Sequence, residues 1–399
     1  MNDNVKKDNS TDDITLENLS EQQQKMFRLI TRNPTEEVLT DLTLIKKIAD
    51  NEALNHYIGF EVSGFIHLGT GLVGSTKIAD FQAAGVKTRI FLADYHTMIN
   101  NKLGGDLDTI RRVAGTYFKE ALRLSLECVG GNTDKVEFIL GSELYEKLNL
   151  NYWEDVIKIA KQITLNRAKR SITILGRREG DAVSLAQLMY VPMQVADLFS
   201  MKINLPHAGM DQRKAHVVAL DVANSLGYKP VAVHHHLLMG VHVTADQRSK
   251  ILAAKASGNR DALIDEIIDV KMSKSKPNSA VYIHDTEEQI KAKIMGAFCP
   301  AAELEVNSII DIERYIIWPY LIRKNRDYEI FNAKTKVSSS YKNQKELEEA
   351  YVNNLIHPVD LKDSVSNYLI EILGPARKYF LEGAGKKYLE DMQSIQITR

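Results

Sequence analysis

From Tyr57 onward, short apolar runs alternate with longer stretches of helical periodicity, and that alternation permits few folds. His56-Tyr57-Ile58-Gly59-Phe60-Glu61 reads as a buried strand, followed by a glycine turn and a helix from about His67. Thr88 to Ala93 is a second β-rich run, ending in the polar Asp94-Tyr95-His96. Between Asp108 and Leu126, Ile110, Val113, Tyr117, Phe118, Ala121 and Leu122 fall on one helical face. Val136 to Leu140 and Pro230 to Val233 read as further strands. Strands separated by helices at this spacing imply an α/β fold with a doubly wound parallel sheet. Ligands on such a sheet bind beyond the carboxyl ends of its strands.

At 399 residues the chain exceeds one typical core, so two domains are the default. From about Glu287 strand signals fade and helical segments dominate, through Glu346–Leu355 and Asp363–Leu373, which places a mainly helical domain at 287–399. Residues 1–40 read as a polar extension, and Met1 to about Gln24 as a poorly ordered or loosely helical leader without the apolar core of a signal peptide. Val243 to Asp269 is charged and mixed, as expected of a helical insertion or mobile segment. The formal net charge of −1 confines any nucleic-acid contact to local basic patches. Cys128 and Cys299 lack metal-ligand spacing and are expected as reduced thiols. No apolar run is long enough to span a bilayer, so the expected setting is cytoplasmic and no membrane partner is expected.

Lys271-Met272-Ser273-Lys274-Ser275 packs two ammonium groups and two hydroxyls into five residues, with Lys276 behind. Such a loop suits a polyphosphate, although most lysine clusters are only solvated surface. Upstream, Ser63-Gly64-Phe65-Ile66-His67-Leu68-Gly69-Thr70-Gly71 follows the first strand and opens a helix. Unpaired N–H groups and the dipole at a helix start attract anions. His67 can donate to a phosphate oxygen, and Gly69 lets a base or ribose approach the backbone; tight packing alone explains the segment equally well. Tyr190, Gln194 and Asp197 share one helical face. Pro192 is tolerable if that helix begins near it, which puts Tyr190 at its mouth. The neighbours Leu188, Met189, Val191, Val195 and Leu198 argue for burial, and buried polar groups need partners such as a ligand. His234-His235-His236 follows a strand, where adjacent side chains point to opposite faces and cannot chelate together, so no metal site is expected. Lys158, Lys161, Arg167, Lys169, Arg170, Arg177 and Arg178 suit RNA phosphates and suit a surface helix equally.

The glycine-rich turn and the lysine loop, in this order, resemble the HxGH and KMSKS signatures of class I aminoacyl-tRNA synthetases. The likeness is strongest to the tyrosyl-tRNA synthetases of archaeal and eukaryotic type, over roughly residues 50–370. Tyr57-Ile58-Gly59-Phe60-Glu61, Leu92-Ala93-Asp94, Gly209-Met210-Asp211-Gln212-Arg213-Lys214 and His357-Pro358-Val359-Asp360 carry it further. The resemblance implies a Rossmann-like catalytic domain at 41–286, a dimerisation segment inserted at about 95–185 and a helical anticodon-binding domain at 287–399.

It also implies activation of L-tyrosine with ATP and transfer to tRNA(Tyr) by a homodimer, with Mg²⁺ arriving on ATP and no protein-held metal. Catalysis then falls to His67, Thr70, Lys271 and Lys274, acting by positioning and charge without a side-chain nucleophile. Tyr57 and Asp197 would bind the substrate phenol, with Tyr190, Gln194 and Gln212 on its α-ammonium group. A buried donor and acceptor left unpaired by phenylalanine penalise it, so no editing domain is required. Gly59, Glu61, His67, Gly69, Thr70, Met272, Ser273, Lys274 and Ser275 would surround ATP. Arg213 and Lys214 would meet the acceptor stem, and His357 and Asp360 the anticodon, with Tyr328 stacking on a base. The chain departs from the family at Thr70, where a second histidine is usual; a hydroxyl donates but carries no positive charge. The rival expectations are a tryptophanyl enzyme, a non-catalytic paralogue that binds structured RNA, and a small-molecule nucleotidyltransferase.

Overall fold

The computed structural model describes residues 15–176, 182–273 and 279–395. Six strands form the main sheet: β1 (Thr35–Leu39), β2 (His56–Phe60), β3 (Thr88–Leu92), β4 (Val136–Leu140), β5 (Leu205–Gly209) and β6 (Ala232–His235). Their order is β1-β6-β5-β2-β3-β4. β2 to β6 run parallel, and β1 lies antiparallel on the edge beside β6. Parallel strands are covered by helices on both faces, which is why Ile58, Ile90, Phe91 and Leu205 can be apolar without alternation. Chain order reverses between β2 and β5, so the ligand crevice opens where Phe60, Leu92 and Gly209 end their strands.

The doubly wound sheet expected from the sequence is present, with two strands beyond those read there: β1 on the edge and the interior β5, which carries Pro206. β1 was not foreseen, because Thr35-Glu36-Glu37 reads as polar chain. It is an edge strand, and charge on an edge protects it from foreign pairing. Of the stretch 1–40, the described part is folded: Ser20 caps the helix Glu21–Thr31, and β1 completes the sheet. Pro230 stays outside β6, which starts at Ala232. The helix bearing Asp197 spans Leu185–Ser200, with Ser184 as its cap, so it does not begin at Pro192. Pro192 instead sits inside it and leaves the Leu188 carbonyl without its usual donor.

The six residues placed on one face of 108–126 are all buried, although a π-helical turn at Ala114–Phe118 interrupts the helix. Val243 to Asp269 folds as two capped helices, Ala245–Ala256 and Arg260–Val270. The C-terminal part is mainly helical but also carries a hairpin, β7 (Tyr328–Asn332) and β8 (Val337–Tyr341). It does not stand apart: Ile58, Leu72 and Tyr117 share one apolar cluster with Ile309, Leu369 and Phe380. Among the described residues, no helix is long and apolar enough to cross a membrane.

Asp80 joins the parts. It is 0% exposed and accepts from Arg32 Nη2 at 2.5 Å, Lys77 Nζ at 3.3 Å and Arg323 Nη2 at 2.7 Å. Burial alone would raise its carboxyl, but the three cations hold it below its ordinary value of 3.8. Its contribution is therefore present above pH 3.8 and disappears as pH falls through the lower, folded value. Asp80→Asn is expected to cost roughly 3–5 kcal/mol, because it leaves buried cations unpaired. Urea titration measures this, and the acid-induced loss of stability seen in the parent should be smaller in the variant.

Candidate active site

The crevice between β2 and β5 is built around one carboxylate. Asp197, on the helix Leu185–Ser200, is 0% exposed, and its Oδ1 accepts from Tyr152 Oη at 2.9 Å. Its Oδ2 makes no hydrogen bond and lies 3.8 Å from His96 Nε2. Burial pushes the Asp197 carboxyl up to about 8, against the Tyr152 and Tyr145 hydroxyls and with the nearby Asp94 charge. Tyr57 enters from β2; burial and the Asp197 charge raise its hydroxyl well above the ordinary range. Gly59 is required beneath it, since a Cβ there would collide with the Tyr57 hydroxyl.

One turn before Asp197, Gln194 keeps a buried Oε1 without a partner. Tyr190 Oη donates to Glu61 Oε1 at 2.8 Å, and Asn100 Nδ2 reaches the same carboxylate at 3.0 Å. Glu61 is thus bound to the Tyr190 side of the crevice rather than standing alone near a nucleotide. Gln212, at the end of β5, donates to the Ile174 carbonyl at 3.2 Å. Polar groups with unused valences, lining a buried crevice, are what a small polar ligand satisfies.

The opposite side carries the anion-type groups. His67 precedes the π-helical turn Gly69–Val73, and its Nε2 lies 3.0 Å from Thr70 Oγ1. The Thr70 hydroxyl is engaged with the histidine ring rather than projecting alone. Gly69 lies directly against that ring. Lys271 pairs with Asp211, whose carboxyl is lowered although burial opposes this. A Cβ at Gly209 would press on the Asp211 carboxylate, so glycine keeps that acid in place. Met272 is buried and anchored by its N–H to the Leu238 carbonyl at 2.7 Å, with Ser273 following. Lys274 and Ser275 lie outside the described residues, as do Arg177 and Arg178.

His234, His235 and His236 point into three separate networks. His234 Nε2 meets His216 Nδ1 at 3.0 Å, and its Nδ1 lies 3.0 Å from Glu37 Oε2. His235 Nδ1 meets His207 Nε2 at 2.7 Å, and His207 meets His56 at 3.1 Å. His236 bridges Glu36 and Asp311 at 2.8 Å each, linking β1 to the C-terminal helices. Arg213 donates to both oxygens of Glu37 at 3.0 and 2.8 Å, and Arg260 reaches Glu37 at 2.7 Å. Burial opposes ionisation of Glu37, yet His234 and Arg213 hold it at about 2. Lys214 is exposed and donates to Thr173 Oγ1 at 3.1 Å. Of the basic stretch, Lys158 pairs with Asp155 and Arg167 with Asp221.

In the C-terminal part, His357 is exposed and caps the helix Pro358–Ile372. Asp360 is buried and accepts from the Ala333 N–H at 3.3 Å, fixing the turn of the β7–β8 hairpin. The expectation for Tyr328 is corrected: it is 0% exposed, packed between Trp318 and Tyr368, and offers no face for stacking. Three residues on, Phe331 is 52% exposed on the same strand. Reasoning from sequence passed over Phe331, His96 and Tyr152. Tyr152 left a signal as a hydroxyl on the helical face that also buries Val156 and Ile159, and His96 left one as a polar residue just beyond the carboxyl end of β3.

The family described as tRNA synthetases class I (W and Y) matches residues 49–374. A protein of Thermococcus onnurineus named tyrosine–tRNA ligase is 47% identical over 392 residues, 94% of this chain and 99% of its own length. One of the same name from Pyrococcus furiosus is 46% identical over 393 residues, again 94% of this chain and 99% of its own. The structure of tyrosyl-tRNA synthetase complexed with L-tyrosine from Pyrococcus horikoshii matches with a TM-score of 0.85 at 44% identity, covering 94% of this chain and 100% of that one. With motifs, sheet order and near-full-length likeness in agreement, the chain belongs to the class I tRNA synthetases of the W and Y family.

Proposed function

We propose that the chain is a tyrosine–tRNA ligase, which activates L-tyrosine with ATP and transfers it to tRNA(Tyr). The observation that carries this is the buried Asp197, with one oxygen unused, facing the Tyr57 hydroxyl at the sheet's switch point. A phenol both donates and accepts, so it satisfies an acid and a hydroxyl together. An indole N–H only donates and would leave the Tyr57 hydroxyl unmatched, which disfavours the tryptophanyl reading. Relatives named tyrosine–tRNA ligase at 46–47% identity support the same choice.

In the first step the tyrosine carboxylate attacks the α-phosphorus of ATP and pyrophosphate leaves. A ribose hydroxyl of the tRNA's terminal adenosine then attacks the adenylate carbonyl and AMP leaves. His67, oriented by Thr70, faces the nucleotide side as a hydrogen-bond donor, and Lys271 and Lys274 meet the leaving phosphates. Tyr190, Gln194 and Gln212 hold the α-ammonium group, and Gly59, Gly69, Met272, Ser273 and Ser275 shape the nucleotide side, with Glu61 bracing Tyr190. Mg²⁺ is assigned to the nucleotide's phosphates, where it would offset their charge. A role in translation is consistent with the cytoplasmic setting we assign to it. Amino-acid-dependent ATP–pyrophosphate exchange is expected with tyrosine only, and exchange with tryptophan or with no amino acid overturns the reading. Asp197→Ala should cut exchange about 10- to 100-fold, as for a lost charged hydrogen bond, and leave tRNA affinity unchanged.

Toward tRNA, Phe331 replaces Tyr328 as the stacking residue, beside His357 and Asp360. Arg213 and Lys214 stay assigned to the acceptor stem. Base stacking is worth roughly 1–3 kcal/mol, so Phe331→Ala should raise the KM for tRNA about tenfold in aminoacylation while tyrosine-dependent exchange is unchanged. An unchanged tRNA KM removes Phe331 from the interface.

A homodimer is supported by Leu150, Trp153 and Ile157, which are exposed along one face of the helix Leu150–Ala160. Trp153→Asp should convert a dimer to a monomer in sedimentation velocity. A parent that sediments as a monomer at the same concentration sinks the assignment.

A further inference from the structure

His96 is a buried polar side chain that the reaction described above leaves without a task. It is 2% exposed, on the short helix Asp94–Ile99 after β3; the Tyr190 backbone lies near its ring, but neither ring nitrogen closes to hydrogen-bond geometry. A buried imidazole in that state costs stability unless something completes it. Its surroundings show what that is. One edge packs on the Tyr190 ring, with centroids 4.6 Å apart and planes at 86°. Its Nε2 faces Asp197 Oδ2 across 3.8 Å, and that oxygen is unpartnered too. The other oxygen of Asp197 is already held by Tyr152. A small side-chain rotation brings the two unused atoms within bonding distance.

We propose that His96 is a specificity-determining positioning residue for tyrosine, whose Nε2–H closes on one lone pair of Asp197 Oδ2, leaves the other for the substrate phenol, and keeps that carboxylate ionised as its acceptor. This rests on the assignment of Asp197 to the phenol. The groups that face the carboxylate are Tyr57 from β2, His96 and Asp94 from the following short helix, Tyr145 and Tyr152 from 141–160, and Tyr190 on its own helix. Tyr57, Tyr145, Tyr152 and Tyr190 are all held neutral by burial, so they add no negative charge, and a phenol has no cationic form with which to offset the carboxylate. Asp94 adds charge of the wrong sign. Burial also holds the imidazole down at about 4, so it serves as a neutral N–H donor. Without that donor the carboxyl takes up a proton near neutral pH. Its bond to the phenol then loses charge assistance and about half its strength. The pocket discriminates less well against phenylalanine, which offers no hydroxyl.

His96→Phe keeps a flat ring against Tyr190 and removes the donor, and His96→Gln keeps a donor. ATP–pyrophosphate exchange with tyrosine and with phenylalanine is measured for both variants and the parent between pH 6.5 and 8.5. For His96→Phe we expect the tyrosine KM to rise about tenfold with kcat nearly unchanged, about one charged hydrogen bond's worth, and the tyrosine-to-phenylalanine ratio of kcat/KM to fall about as much. The tyrosine KM of His96→Phe should fall as pH rises, because alkali restores the ionised Asp197. The parent and His96→Gln should show no such slope. A purely structural role would not produce that slope. Should His96→Phe not fold, His96→Leu tests the same expectation. A parental ratio and a flat pH profile in the donor-less variant overturn the proposal, as does a His96→Gln that behaves like it. No tyrosine exchange in the parent sinks the ligase reading instead, so the two failures are distinguishable.

Discussion

One buried carboxylate, Asp80, holds together segments that are far apart in sequence. Arg32 comes from the chain before β1, Lys77 from its own helix, and Arg323 from the C-terminal helices. The cations satisfy one acid whose desolvation none of them could offset alone. Its helix, Gly74–Ala83, continues directly from the π-helical turn that follows His67. The histidine expected to meet a nucleotide is thereby tied, through the helix it leads into, to the segments that carry Arg32 and Arg323. Core packing gives the sheet its stability, and this pairing gives it a fixed relation to the helices behind.

The tyrosine-side crevice uses the same physics with the opposite sign. Around Asp80, positive charge outweighs desolvation and the acid stays ionised. Around Asp197, desolvation wins, because the neighbours are hydroxyls and a neutral imidazole. An acid in the second environment is poised to respond to whatever donor enters. Glu37 shows the first pattern again at the crevice's rim, where Arg213, Arg260 and His234 converge on it. Arg260 belongs to the inserted helices and Arg213 to the segment after β5, so β1 connects both with the sheet edge.

Much of this was legible in the sequence where periodicity and burial agree. Tyr190, Gln194 and Asp197 share a face because their spacing is helical, and that survives a misplaced helix start at Pro192. Most of the sheet followed from strand–helix alternation, where apolar runs mark β2, β3, β4 and β6, whereas β5 is short and carries Pro206 and His207, which hid it. β1 escaped notice because two glutamates occupy an edge that tolerates them. Tyr328 and Phe331 show a different limit. On a strand, Tyr328 and Ile330 face inward while Glu329 and Phe331 face out, and a shift of one residue exchanges the faces. Nothing local chooses between those phases; only the Trp318 and Tyr368 rings that receive Tyr328 decide it. His96 and Tyr152 converge on Asp197 from separate helices, an adjacency that no sequence spacing encodes.

The pairing of Lys271 with Asp211 gives the signature loop a built-in competitor. A polyphosphate reaching for that lysine must displace an anion already in place, so its net gain is the difference between two anion contacts. The displaced carboxylate is not idle either. Burial holds His235 down at about 4 and the Asp211 charge works against it, while His235 leads on to His207 and His56 inside the sheet. Freeing Asp211 from its lysine strengthens its pull on that imidazole. The acid beneath the signature loop is thus shared, electrostatically, between the lysine above it and the histidines inside the sheet.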